Sequence, residues 1–206
     1  MKFATPLLLL LLCCFCCLKL GGQAFTFQDQ AFLAQQKSAA AAASPNIFVT
    51  VAFNASNAAY SGDGINWTNA TLPMLSTWRG ITYGNGKFVT VAYGSTNAAY
   101  SGDGINWTNA TLPASTSWYV TYGNGKFVAV AYNSTNAAYS GDGINWTNAT
   151  LPASALWQSV TYGGGKFVTV SYSTSTHATY STDGINWTNS TLPAAKSWIS
   201  VIYGGQ

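Results

Sequence analysis

The carboxylates of this 206-residue chain recur in one pattern, and they limit the chemistry that the sequence supports. An aspartate two positions after a serine and directly before a glycine occurs four times, at Asp63, Asp103, Asp142 and Asp183. The sequence contains no glutamate, and its fifth aspartate, Asp29, lies near the amino end. Hydrolysis of a sugar usually needs two carboxyl groups that flank one glycosidic bond. Because the repeated aspartates share one turn-like context, we expect no such pair and predict that the chain is not an enzyme.

The segment around each repeated aspartate predicts a tight turn. Ser101 and Asp103 carry short oxygens that can accept backbone N–H bonds within a turn. Gly104 permits a left-handed backbone, and Trp107 can cover the hairpin with a large apolar surface. Successive aspartates of the pattern are 40, 39 and 41 positions apart. A period of this length is typical of a repeat architecture.

One repeat predicts four short antiparallel strands. In the unit 78–113, the β-branched and aromatic segments 78–83 and 87–93 flank the glycine-rich turn 84–86, which suits a hairpin. A third strand precedes the aspartate turn, and a fourth follows it and is expected to end at Pro113, which has no N–H to donate. Four strands in about 40 residues match the size of one propeller blade.

The repeated turn resembles the Asp box, or bacterial neuraminidase repeat, of sialidase-type β-propellers, which reads Ser-x-Asp-x-Gly-x-x-Trp. The resemblance covers about residues 47–203, and this version is one residue shorter between the aspartate and the glycine. It implies a sialidase-like, all-β fold in which the boxes are structural turns at the rim of the blades. The matching positions are Ser61, Asp63, Gly64, Trp67, Ser101, Asp103, Gly104, Trp107, Ser140, Asp142, Gly143, Trp146, Ser181, Asp183, Gly184 and Trp187.

The catalytic residues of sialidases have no counterparts here. The resemblance implies that an active enzyme would use an arginine triad, a Tyr/Glu nucleophile pair and an aspartate acid, whereas Arg79 is the only arginine of this chain. His177, the only histidine, lies in a predicted loop without a cysteine or second histidine to complete a metal site. We therefore expect no catalytic residue, no metal and no cofactor.

The strand order predicts how the blades form a ring. The repeat domain, 46–206, begins with the equivalent of a second strand, 47–53, and ends with an additional first strand, 198–203. If that last strand completes the first blade, the chain forms a small closed β-propeller of four blades with four antiparallel strands each, at the low end of the usual range. Two chains that complete one larger ring would satisfy the same strand count. The expected state is a monomer or such a ring-completing homodimer.

The amino-terminal residues predict a targeting segment and a leader. Residues 1–24 combine Lys2 with an apolar run of about 12 residues, which is typical of a cleaved signal peptide and short of the roughly 20 residues of a spanning helix. The Gln/Ala-rich leader, 25–45, favours a helix that Pro45 stops. All four cysteines lie in the signal segment, so the mature chain is expected to lack disulfides. We predict a secreted protein with no stable membrane span after cleavage, and an uncleaved anchor is the alternative.

Charge and sequons narrow the classes of partner. The formal net charge is +3, and the basic residues are not grouped into a stripe, so we expect no nucleic-acid partner. Asn-x-Ser/Thr sequons are dense, as expected for a glycoprotein, although duplication of outer-strand residues explains the strand sequons equally well. The candidate N-glycosylation sites are Asn54 and Asn133 in loops, then Asn69, Asn109, Asn148 and Asn189 in outer strands.

The repeats vary along one edge of the predicted blades. Turns between the first and second strands and between the third and fourth strands barely differ among the copies, and strand order places them on one edge. The remaining loops lie on the opposite edge and diverge in sequence. We predict that this diverging edge recognises a glycan or an extracellular protein. The candidate residues are Trp78, Arg79, Trp118, Tyr119, Trp157, Gln158, Trp198 and His177.

Two alternatives accompany this prediction. The tryptophans of the diverging edge could be core residues at the junctions between blades, with loops that vary because little constrains them. The chain as a whole could be a structural or coat glycoprotein with no specific ligand. The favoured hypothesis is a secreted, non-catalytic β-propeller that binds a carbohydrate or protein partner through the edge opposite the Asp boxes.

Overall fold

A computed structural model of the protein describes residues 45–205, which belong to one compact unit, Ser44–Gln206. The predicted signal peptide and the predicted leader, apart from Pro45, lie outside the described residues. Strands joined by turns make up this part of the chain, so the predicted all-β class is confirmed. Within residues 45–205 there is no helix of the length and hydrophobicity needed to cross a bilayer.

Twelve strands follow one another along the described chain, and each pairs antiparallel with the next within a sheet. Short turns with glycine or asparagine at positive φ connect many of them, as in the hairpin of Asn85 and Gly86. The strands are β1 (Phe48–Val51), β2 (Ala55–Ser61), β3 (Thr68–Ser76), β4 (Trp78–Gly84), β5 (Lys87–Ala92), β6 (Ser95–Ser101), β7 (Thr108–Gly123), β8 (Lys126–Ser140), β9 (Thr147–Gly163), β10 (Lys166–Ser171), β11 (Ser175–Ser181) and β12 (Thr188–Lys196).

Hydrogen bonding groups these strands into a three-stranded sheet, β1–β3, and a nine-stranded sheet, β4–β12. The long strand β7 pairs with β6 up to Thr116 and with β8 from Ser117 onward. In the same way β9 pairs with β8 up to Leu156 and with β10 from Trp157 onward. Strand β8 supplies both the second and the third strand of the middle segment, with Asn133 at positive φ between them. The nine-stranded sheet therefore divides into three segments of four strands. We call β1–β3 blade 1 and these segments blades 2, 3 and 4.

The expected end of the fourth strand at Pro113 is wrong. Strand β7 continues through this residue to Gly123. Its partners in β6 change from Asn97, opposite Thr111, to Ser95, opposite Thr116. Pro113 therefore lies in an irregularity of the ladder, where its missing N–H removes no regular strand bond.

Neighbouring blades pack face to face through apolar clusters. Between blades 2 and 3, Val91 and Leu112 are buried against Trp118 and Ala131, and Trp146 packs onto this cluster. Equivalent clusters join blades 1 and 2 and blades 3 and 4. The second strand of blade 2, β5, is apolar on both faces because both of its faces meet a neighbouring blade.

First strands of successive blades lie in close contact with one another. The ring of Tyr122 lies against Gly84, and the ring of Tyr162 lies against Gly123, with no room for a Cβ atom at either glycine. Fourth strands, in contrast, expose about every second residue to solvent. The first strands therefore lie on the side where the blades converge.

The ring that we predicted to close within one chain is open. Strand β1 pairs with β2 on one side and with no described strand on the other. Segment 198–203 instead lies against blade 4, where the N–H of Val201 donates to Ser159 Oγ at 3.1 Å and Tyr203 covers Gly163. Alanines and one tryptophan recur at each of the three junctions, and no strand pairing joins blade 4 to blade 1. Four complete blades are therefore not formed.

Candidate functional site

Each Asp box is closed by the same set of short hydrogen bonds. Asp63 Oδ1 accepts bonds from Ser61 Oγ at 2.9 Å and from the N–H groups of Ile65 and Asn66 at 2.8 Å. Asp63 Oδ2 accepts a bond from Asn66 Nδ2 at 2.8 Å, and Ser61 Oγ accepts the N–H of Gly64 at 2.9 Å. The same bonds recur in the boxes of Asp103, Asp142 and Asp183.

These donors keep the box carboxylates ionised. The pKa of Asp63 lies well below its usual value, chiefly because the backbone N–H groups of Asn66 and Ile65 donate to it. At Asp142 burial raises the pKa, but the donated bonds outweigh this effect and the net shift is downward. The pKa values of Asp103 and Asp183 are lowered as well. A carboxylate with a lowered pKa, whose two oxygens already accept hydrogen bonds within the turn, is poorly suited to act as a general acid or base near neutral pH.

The sequon asparagines occupy two different settings. In the boxes, Nδ2 of Asn66 is engaged with Asp63 at 2.8 Å, and the other box asparagines are engaged in the same way. Asn54 and Asn133 are exposed at positive φ, at the connection between second and third strands. The outer-strand candidates Asn69, Asn109, Asn148 and Asn189 are exposed as well.

Three of the four candidate tryptophans of the diverging edge lie in the core. Trp78, Trp118 and Trp157 are at most 1% exposed, and each fills one junction between blades. Trp118 Nε1 donates to the carbonyl of Ala114 at 3.0 Å, which fixes the indole of blade 3 against the fourth strand of blade 2. Trp198 makes the same type of bond and is half-buried. The three buried indoles cannot offer their faces to a ligand, and their position corresponds to the alternative of core residues at the blade junctions.

Arg79 and two tyrosines form a continuous polar and aromatic cluster across blades 2 and 3. The guanidinium carbon of Arg79 lies 5.2 Å from the ring centroid of Tyr93 and 5.5 Å from that of Tyr119. Both distances are in the range of cation–π attraction. Gln158, at the equivalent position of blade 4, lies beside Tyr119. These four residues are called the Arg79 cluster below.

Tyr119 carries the least satisfied polar atom of the Arg79 cluster. Its hydroxyl is buried and makes no well-formed hydrogen bond. Burial raises the pKa of Tyr119, and the charge of Arg79 and the side chain of Gln158 offset only part of this effect. Because this hydroxyl is buried, it belongs to the packing of the Arg79 cluster and is not exposed to a ligand.

The Arg79 cluster lies on the edge opposite the Asp boxes. The N–H of Tyr93 donates to the carbonyl of Thr77 at 2.8 Å, which joins the two diverging loops of blade 2. On the other edge, Asn85 Nδ2 donates to the carbonyl of Gly141 at 3.1 Å. That bond ties the hairpin of blade 2 to the Asp box of blade 3. The invariant turns and the diverging loops are therefore separated, as strand order predicts.

The remaining candidates and the missed residues differ in position. His177 is exposed on β11, and its N–H donates to Ser175 Oγ at 3.3 Å. No three His, Cys, Asp or Glu side chains of residues 45–205 come together to hold a metal ion.

Sequence reasoning missed Tyr93, because it ends an apolar second strand and looks like part of the core. Its place next to a diverging loop was the signal that could have identified it.

No family model matches the sequence, and no curated protein matches it. Solved structures do match, with these identities and TM-scores. Virginiamycin B lyase from Staphylococcus aureus superposes with a TM-score of 0.67 at 14% identity, over 75% of this chain and 55% of that chain. YCF48 bound to D1 peptide superposes with a TM-score of 0.56 at 18% identity, over 73% of this chain and 51% of that chain. A chain of a nidogen/laminin complex gives 0.62 at 14% identity, over 78% and 65%.

These neighbours are β-propeller proteins, and at such low identity they establish the fold alone. The chain spans about half the length of the first solved structures that it matches. They do not connect it to the Asp-box family, so that relationship remains a resemblance of the four boxes.

Proposed function

We propose that the chain is a secreted, non-catalytic recognition module that binds a protein partner through the Arg79 cluster. The observation that carries this proposal is the setting of Arg79, an exposed guanidinium held between the rings of Tyr93 and Tyr119. An arginine held between aromatic rings retains its charge and its N–H donors for a carboxylate of a partner. Two neighbours, YCF48 with D1 peptide and nidogen with laminin, were solved with protein or peptide partners.

The distribution of charged residues in the described chain supports a role for Arg79 in binding an acidic partner. Each aspartate of residues 45–205 is bound within its own Asp box, on the edge opposite Arg79. Arg79 therefore has no acidic neighbour that would neutralise it within the described blades. An acidic segment of a partner would meet a fixed cation flanked by two aromatic rings.

The non-catalytic part of the proposal rests on the same aspartates. Their lowered pKa values and occupied oxygens suit structural turns, and none lies near the Arg79 cluster. Virginiamycin B lyase is an enzyme by its name, but a likeness at 14% identity transfers no activity to this chain. Turnover of a substrate that depends on Arg79 or Tyr119 would overturn this part.

Binding can be tested with immobilised acidic and neutral peptides, each presented to the secreted chain and to two variants. We expect wild-type protein to retain acidic peptides, and Arg79→Ala to weaken binding by about tenfold or more, the loss of one charge-assisted bond. Lys126→Ala is the matched control, because it removes one positive charge at a hairpin on the other edge. Equal binding by wild type and Arg79→Ala would contradict the proposal.

A glycan ligand is the second candidate, favoured by the aromatic rings of the Arg79 cluster, and an array of acidic and neutral sugars tests it with the same variants. A structural coat glycoprotein without a specific ligand is the third candidate, favoured by the exposed sequons. If the chain binds neither the peptides nor the sugars, and its mass falls after enzymatic removal of N-glycans, the result would favour a structural coat glycoprotein. Secretion itself is tested by expression in eukaryotic cells and recovery of the chain from the medium.

A further inference from the structure

Every junction between blades joins two different faces. The back face of a blade is the one that carries Val91 and Leu112 in blade 2, and the front face is the one that carries Ala92 and Ala99 there. The back face of one blade packs on the front face of the next at three junctions of the described chain. The front face of blade 1 and the back face of blade 4 meet no described blade. These two open faces are the two halves of a junction that the molecule already forms.

The front face of blade 1 carries apolar side chains that are covered everywhere else. Phe48 is 59% exposed, whereas its equivalents Phe88, Phe127 and Phe167 are at most 6% exposed. Trp67 is 47% exposed, whereas the other three box tryptophans pack on the cluster of the preceding blade. A face with this composition is typical of an interaction surface.

The same face contains a depression where a preceding blade would lie. It measures about 280 Å³ and is lined by Thr50, Ala59 and Asn69, among others. In blade 2 the equivalents Thr90 and Ala99 are fully buried against blade 1.

On the back face of blade 4, apolar side chains are likewise less buried than their equivalents in the other blades. Leu192 is half-buried, whereas its equivalents Leu72, Leu112 and Leu151 are at most 2% exposed. Val168 is half-buried as well, whereas the equivalent Val89 is fully buried against the box glycine Gly143 of the following blade. The box glycine and the box tryptophan of a following blade would cover both side chains.

The backbone is complementary in the same way. Strand β1 has the position of a second strand and pairs with no described first strand, and segment 198–203 corresponds in sequence to a first strand but pairs with no described second strand. Within blade 2, Ile81 pairs with Thr90 and Thr82 pairs with Val89. The equivalent pairs across the open faces are Val201 with Thr50 and Ile202 with Val49.

We propose that two copies of this chain associate head to tail, with segment 198–203 of each copy added to β1 of the other. Two such junctions close one ring from two chains, because a heterologous contact gives a ring when its rotation closes. The matched part of the chain covers 55% and 49% of two solved β-propeller chains, so its arc of blades superposes on part of a longer β-propeller. This inference does not depend on the Arg79 cluster or on its ligand.

Sedimentation of the full chain should give a concentration-dependent species with twice the mass of one chain. Phe48→Glu and Ile202→Glu each place a charge on one open face and should give a single-chain mass. Asn148→Glu is the matched control, since Asn148 is exposed on the outer strand of blade 3, and it should leave the double mass unchanged. A single-chain mass for the wild type at high concentration, or a long polymer, would overturn the two-chain ring.

Cysteine cross-linking separates closure between chains from closure within one chain. The four natural cysteines are replaced by serine, and the chain then carries both Thr50→Cys and Val201→Cys. Paired strand positions suit a disulfide, so oxidation should give a covalent dimer on a denaturing gel. A covalent monomer, or no cross-link at all, would contradict the proposal. A chain with Asn148→Cys in place of Val201→Cys is the matched control and should remain uncross-linked.

Discussion

At the scale of the residue, the Asp boxes show how one short motif can be used entirely by its own turn. Asp63 Oδ1 accepts bonds from Ser61 Oγ and two backbone N–H groups, and Asp63 Oδ2 accepts one from Asn66 Nδ2, so both carboxylate oxygens are engaged within the box. The sequence predicted this role from residue types and spacing alone, because the partners lie within five positions along the chain. The Arg79 cluster was predicted only in part, since its members come from strands of different blades.

The buried serine of a box is expected to be essential for its turn. Ser140 is 2% exposed and accepts the N–H of Gly143, which Ser140→Ala would leave buried and unpaired. We expect Ser140→Ala to lower the free energy of unfolding by about 1–3 kcal/mol, measured by urea denaturation. Ser115→Ala, at an exposed serine, is the control and should change stability by less than about 0.5 kcal/mol. Equal stability of both variants would contradict a structural role for the box.

The lowered pKa values of the box aspartates predict a loss of stability in acid. In the unfolded chain these carboxyls titrate near their ordinary pKa of about 3.9, whereas in the folded chain they titrate at lower pH. The stabilisation is therefore fully present above about pH 5 and declines as the pH falls toward the folded pKa. We expect the urea midpoint to fall between pH 5 and pH 3, and Asp183→Asn to reduce this pH dependence. A midpoint that is constant over this range would contradict the prediction.

At the scale of the element, side-chain period predicted the strands but not every strand end. The apolar second strands were recognised because both of their faces are covered, as in β5. The end of the fourth strand at Pro113 was wrong because a register change in β7 accommodates the proline. Such a change depends on the partner strand, and no pattern within the single strand reveals it.

Close contact between first strands predicts a position that tolerates no side chain. Gly123 lies against the ring of Tyr162, so Gly123→Ala would force this ring or the strand to move. We expect Gly123→Ala to cost about 1–3 kcal/mol of unfolding free energy, as for other overpacked sites. Gly141→Ala is the matched control, since a Cβ at Gly141 meets nothing within 4 Å. Similar unfolding curves for the two variants would exclude tight packing of the first strands.

At the scale of the whole molecule, ring closure could not be predicted from the repeat period. The period fixes the size of a blade, whereas the number of blades in a ring depends on the angle between blades. That angle follows from the packing of residues such as Trp118 and Ala131 across a junction. The strand count was compatible with closure within one chain or between two, and the open arc removes the first of these.

The one-sided pairing of β1 predicts unequal protection of its amides. At low protein concentration, the amides of β1 should exchange with solvent at least about tenfold faster than those of β5, because β5 is paired on both sides. Mass spectrometry of peptides that cover 48–51 and 87–92 measures the difference. Equal protection at low concentration would indicate that β1 is covered within a single chain.

Two hydrogen bonds between asparagine side chains and carbonyl groups join consecutive blades. Asn85 donates to the carbonyl of Gly141, and Asn124 donates to the carbonyl of Thr182. Gly164 occupies the equivalent place in the hairpin of blade 4 and has no side chain to form such a bond. A neighbour that follows blade 4 would thus be retained by strand pairing and apolar packing alone. We therefore expect the proposed two-chain assembly to dissociate at the interface after blade 4 on dilution, while the junctions between blades within each chain remain intact.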